Sequence, residues 1–195
     1  MSTEIALIVP SRMFARISSG SLIVVNLTAA AETEGFASPS CGDKICFWRR
    51  PVVDAPPGWL RDEGSSRLYQ VNAFAPQGST FSNADVVIYA KAIYKGKAAT
   101  TLADFIEGDR AEYQGEVPKA RIVKAPAVVN GDGRALAAYS FAPATGQAGN
   151  WERIAYDEEG EYILLFALSA RTEDAYRKHL DSFIAFVAHY RRNRR

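Results

Sequence analysis

Imidazole and thiol are scarce in this 195-residue chain: His179 and His189, Cys41 and Cys46 are its whole supply. A Ser-His-Asp or Cys-His centre needs a nucleophile and a base within hydrogen-bond reach. The two histidines fall in one carboxyl-terminal helical pattern. At about 100° per residue they point about 80° apart and lie nearly three turns apart. That is poor geometry for sharing a metal ion or a proton, and boundary or solvated positions suit them better. Four nitrogen or sulfur ligands at zinc spacing are not present. No Gly-x-Ser-x-Gly elbow, His-Glu-x-x-His pair or phosphate-cradling glycine loop occurs. Catalytic, cofactor and metal assignments are therefore all "none", and a hydrolase is the least favoured function.

Cys41-Gly42-Asp43-Lys44-Ile45-Cys46 has the wrong spacing for a thioredoxin-type redox pair. A Gly-Asp turn between the two would let them face each other. Opposed positions in an antiparallel pair sit about 4.5–5.5 Å apart, within disulfide range. The expectation is a Cys41–Cys46 bridge, provided the protein is exported to an oxidising compartment.

Charge is concentrated in two places. Asp157-Glu158-Glu159-Gly160-Glu161 gathers four carboxylates at a turn, and Arg191, Arg192, Arg194 and Arg195 crowd the tail. The acidic cluster suits solvent better than calcium, since a full oxygen ligand set is missing. The tail suits the negative end of a helix dipole, anionic lipid or an acidic partner. Lysine and arginine total 23 against 22 acids, a net charge of +1, which argues against a nucleic-acid binder. Trp59 and Trp151 adjoin turns and, with the four arginines, form the candidate partner surface.

These residues must be positioned by a fold. At 48% hydrophobic the chain can bury a core, and its length suits one domain. Strands are expected at Phe47–Arg50 (with Val52-Val53 extending it), Arg67–Phe74 and Ala84–Tyr94. A helix capped by Thr101 follows. Asn130-Gly131-Asp132-Gly133 reads as the turn joining Arg121–Val129 to Arg134–Phe141, since these residues tolerate positive φ. Glu158-Glu159-Gly160 joins Trp151–Asp157 to Glu161–Ser169. A final helix capped by Thr172 carries Tyr176, Leu180, Phe183, Ile184 and Val187 on one apolar face. Tyr162–Leu168 is apolar at both parities, as is Val86–Tyr89, so both faces of the sheet must be covered. The fold class is α+β: a mostly antiparallel sheet in an α/β/α sandwich.

The amino-terminal segment reads differently. Arg12 and Arg16 precede a short apolar stretch, and Ala29-x-Ala31 fits a signal-peptidase site before Glu32. Met13 is an alternative start; two ordinary strands, Ile5–Val9 and Leu22–Leu27, are the competing reading. The expectation is a leader over 1–31, a single domain over 32–195, no membrane-spanning segment in the mature chain, and a periplasmic or secreted location.

The order of elements resembles the PsbP-like superfamily, which includes the photosystem II extrinsic protein and bacterial DcrB-type proteins. The resemblance rests on Pro56-Pro57-Gly58-Trp59, the helix start Thr101–Phe105, the Asn130–Gly133 hairpin, Trp151–Tyr156, Tyr162–Ser169 and the Ala170-Arg171-Thr172 helix entry, over roughly residues 47 to 190. It implies a compact domain, usually exported, acting as an accessory or assembly factor, and it transfers no catalytic residue. The leading expectation is a non-catalytic exported protein that contacts an envelope protein. The alternative is a small-ligand or lipid carrier with a pocket between sheet and helix.

Overall fold

The computed structural model describes residues 33–38, 46–95 and 101–192, of which 33–38 and 46–50 are described as backbone. The expected leader over 1–31 lies outside the described residues. Strands β1 (Thr33–Ser38) and β2 (Cys46–Pro51) form a separate antiparallel pair that lies against β5 (Val86–Tyr94). The main sheet contains β3 (Trp59–Arg61), β4 (Asn72–Pro76), β5, β6 (Arg121–Val129), β7 (Ala135–Ala142), β8 (Trp151–Glu159) and β9 (Tyr162–Ala170). Its order is β3-β4-β5-β9-β8-β7-β6, and every neighbouring pair is antiparallel.

The parity argument holds at the centre of that sheet. Val86, Ile88 and Ala90 of β5 share one face with Leu164, Phe166 and Leu168 of β9. Val87 and Tyr89 share the other face with Leu165 and Ala167. Helices α3 (Glu173–Lys178) and α4 (Leu180–His189) cover the first face through Tyr176, Phe183, Phe186 and Val187. Helix α2 (Leu102–Glu116) covers the second through Ile106 and Tyr113, alongside Phe81 from the loop before β5. The result is an α/β/α sandwich of the α+β class. Each fully buried Leu, Ile or Phe on these strands contributes about 1.5–3 kcal/mol by leaving water.

Three expectations about elements are corrected. The strand expected over Arg67–Phe74 is half helix: α1 (Glu63–Tyr69) precedes β4. The signal lay upstream, where Asp62 caps the helix by accepting from the Ser65 amide at 2.9 Å, and Gln70 ends it at φ 55°. Burial would raise the Asp62 carboxyl, but hydrogen bonds from Ser65, Phe81 and Gly64 outweigh it and hold the group below its usual range. Val52 and Val53 do not extend β2, although Val53 is buried.

The final helix is two helices. Thr172 caps α3 through the Ala175 amide, as expected, but the chain leaves helical geometry at His179 (φ −109°, ψ 10°), which ends α3 and starts α4. Tyr176, Phe183 and Val187 keep to the expected buried face. Phe186 is buried where the single-helix pattern had not placed it, and Ile184 is 46% exposed. Among the described residues no helix is long and apolar enough to cross a membrane.

Candidate interaction surface

The two charge concentrations meet each other. Asp157 on β8 is 1% exposed and accepts from Arg192 Nη2 at 2.6 Å and Arg192 Nε at 3.2 Å. Arg134, just before β7, approaches the same carboxylate at 3.3 Å. Arg192 also donates to the Glu158 carbonyl, and its own amide donates to Asp132 Oδ2 at 2.5 Å. Tyr190 donates to Glu159, and Lys95 donates to Glu158. A buried carboxylate is costly unless charge and hydrogen bonds compensate it, and here a guanidinium fork supplies both.

The hairpin turn completes this clasp. Gly131 N–H donates to the Tyr190 carbonyl at 2.8 Å, and Arg191 Nη1 donates to the Gly131 carbonyl at 2.6 Å. A Cβ on Gly131 would stand 2.7 Å from the Ala188 carbonyl oxygen and 3.0 Å from that of Tyr190. Both are backbone atoms, so this turn needs glycine for close approach. Asn130 Oδ1 accepts from the amides of Asp132 and Arg134 at 3.0 and 2.9 Å, an Asx arrangement that fixes the turn.

Of the expected partner surface, Trp59 lies inside the fold and Arg191 and Arg192 are held by the clasp. Trp59 is 5% exposed; it packs in the core below α3 and α4 and meets His179 edge-on with ring centroids 5.4 Å apart. The Gly58 turn swings it inward rather than outward. Trp151 is half-buried and tilted against Tyr176 at 6.2 Å. Arg191 and Arg192 are engaged by the clasp, while Arg194 and Arg195 lie outside the described residues. Cys41 also lies outside them, as does the side chain of Cys46, so the expected bridge does too. Across the β1–β2 pair the backbone partner of Cys46 is Ser38.

The histidines do not converge. His179 sits at the α3–α4 break, where burial, then Lys178, pushes its pKa below 6.5. His189 is exposed at the end of α4, its Nδ1 3.4 Å from the Asp54 carbonyl. Other ionisable groups lie deeper than the sequence suggested. Tyr156 donates to the buried Asp109 of α2, and Ser169 donates to the buried Glu152 at 3.0 Å. Lys91 of β5, half-buried, has its ammonium pKa pushed down by burial, against an opposing pull from Glu112. Polar strand residues such as Glu152 and Asp157 gave no sign in sequence of being buried.

Unspent charge lies on the far edge of the sheet. An open groove of about 500 Å³ runs between α2 and the start of β6, lined by Glu107, Arg110, Gln114, Arg121 and Ile122 among others. Arg110 pairs with Glu107 at 2.6 Å and lies over the Tyr139 ring at 5.2 Å, while its Nε is buried without a hydrogen-bond partner. Arg121 and Lys124 are exposed.

Comparison with protein-family models returns no match, nor does comparison with curated proteins. Among solved structures the chain is similar to the solution structure of cyanobacterial PsbP from Synechocystis, at 13% identity, covering 89% of this chain and 100% of that one with a TM-score of 0.43.

Proposed function

We propose that this chain is an exported, non-catalytic accessory protein that works through surface contacts with a protein of the cell envelope. One observation carries the reading: the buried carboxylates of Asp157, Glu152 and Asp109 are used to hold the fold together. Asp157 is committed to Arg192 and Arg134, Glu152 to Ser169, and Asp109 to Tyr156. The histidines stand at opposite ends of α4, His179 at the α3–α4 break and His189 at the last turn, with separate contacts. Export is supported by the leader-like pattern before Glu32.

The test is affinity purification of the tagged full chain from the native envelope fraction. A single protein retained in near-stoichiometric amount is the expected result. Activity should survive replacement of both His179 and His189 by Gln. Loss of a measurable turnover in that variant, with folding unchanged, would turn the reading to an enzyme.

The carrier alternative has one observation in its favour. The groove beside α2 lies between sheet and helix, and its volume falls in the range of small-molecule sites. A lipid or small molecule co-purifying with the chain, and displaced by substitution of Ile122, would favour it.

A further inference from the structure

The two edges of the main sheet differ in kind. At one end β3 is three residues long, too short to template another strand. At the other, β6 runs for nine residues, and no strand among the described residues pairs with its outer side. Its second half is guarded: Pro126 interrupts it, the pairing with β7 shifts between Ala125 and Val128, and Arg153 donates to the Pro126 carbonyl at 3.2 Å. The first half has no such device. Arg121 to Ala125 keeps regular register with β7, so alternate N–H and C=O groups of that stretch point away from the sheet. Val123 there is 43% exposed.

Charge selects what can dock. Lys124 is the register partner of Tyr139, the ring beneath Arg110, so Lys124 and Arg110 flank the groove on the α2 side of the sheet. Arg121 stands at its mouth, and Glu107 is the acid among the lining residues, already paired with Arg110. An antiparallel second copy centred on Val123 would set Arg121 opposite Ala125 and Lys124 opposite Ile122, yet it would still gather the cations of both strands along one seam, and edge cations oppose such self-pairing. An acidic strand has the opposite balance.

We propose that β6 from Arg121 to Ala125, with the groove beside α2, accepts an extended acidic segment of a partner protein by strand addition. Backbone hydrogen bonds supply the pairing, and Lys124 with Arg110 on the α2 face and Arg121 on the opposite face select carboxylate side chains. This rests on the surface-contact reading and names the surface and the partner's chemistry.

The probe is a capped peptide alternating Glu and Val, with a Lys-for-Glu peptide as control, titrated into the full chain to about 1 mM. Amide hydrogen exchange is followed by NMR. The Glu peptide should slow exchange of the outward-facing amides between Arg121 and Ala125 about tenfold and leave the rest of the sheet unchanged. The Lys peptide should not, and Arg121→Glu with Lys124→Glu should weaken binding of the Glu peptide about tenfold or more. No binding, or binding without protection of those amides, overturns the proposal. So does a wild-type dimer by sedimentation that the double variant dissociates, because the occupant is then a second copy. If the double variant still retains the envelope partner in purification, the accessory reading stands and the β6 assignment falls.

Discussion

The clasp around Asp157 and the edge at Arg121 use the same side-chain types to opposite ends. At the clasp, Arg192 and Arg134 converge on a carboxylate shielded from water, and the arginine fork is satisfied by carboxylate and carbonyl oxygens. At the edge, Arg121 stands exposed at a groove and Lys124 stands exposed three residues further along the same strand. A charge run in sequence thus says little about where its charge is spent. The arginine tail looked available and is committed at Arg191 and Arg192, whereas two cations spaced along an unremarkable strand are on offer.

The largest effect should come from breaking the clasp. Asp157→Ala strands Arg192 and Arg134 and opens a polar hole, and it should cost about 2–3 kcal/mol, below the usual buried-pair cost because both arginines are partly solvated. Urea unfolding measures it, and a loss below about 0.5 kcal/mol, the size of an ordinary surface change, would mean the clasp is ornamental. Next comes Gly131→Ala, which drives a methyl into the Ala188 and Tyr190 carbonyls and should cost about 1–3 kcal/mol. Its deuterium-exchange signature should be faster exchange at the end of α4, with β3 and β4 unaffected.

His179 offers an intermediate case, where burial rather than pairing sets the charge. Its folded pKa lies below the unfolded value of 6.5, so the unfolded chain binds the proton more readily. Stability should fall as pH drops through 6.5 toward the folded pKa and be fully present above 6.5. His179→Gln should flatten that slope; an unchanged slope would place the titration elsewhere. The smallest effect on stability belongs to the edge: Arg121→Glu with Lys124→Glu should shift unfolding by no more than about 0.5 kcal/mol. A larger loss would mean these cations also serve the fold.

The sheet was legible because burial on both faces leaves a plain mark. Tyr162–Leu168 has no polar parity, and the two hairpins carry turn residues that few other structures tolerate. Thr101 and Thr172 announced their helices by capping chemistry. Helix α1 was missed because its cap, Asp62, precedes a run containing Gly64 and two serines, which depress helix propensity. The break at His179 carries no Gly or Pro to mark it. The depth of Trp59 was open for a related reason: a tryptophan after a turn can cap a sheet edge or enter the core until the turn's direction is known. Gly58 at φ 80° sends Trp59 under α3 and α4. The β6 edge could not be read at all, since strand order is a property of the closed sheet.

The central position of β9 has a consequence for the timing of synthesis. β5 is complete at Tyr94, yet the strand that pairs with its whole length begins only at Tyr162. At about 5–20 residues per second the ribosome needs roughly 3 to 14 s to cover that distance. Throughout it, β3 to β5 and the growing β6 to β8 are two half-sheets with no shared backbone bonds, and the apolar run Val86–Tyr89 has no β9 beside it. The nascent chain therefore stays open, and available to whatever binds unfolded segments, until its ninth strand has been made.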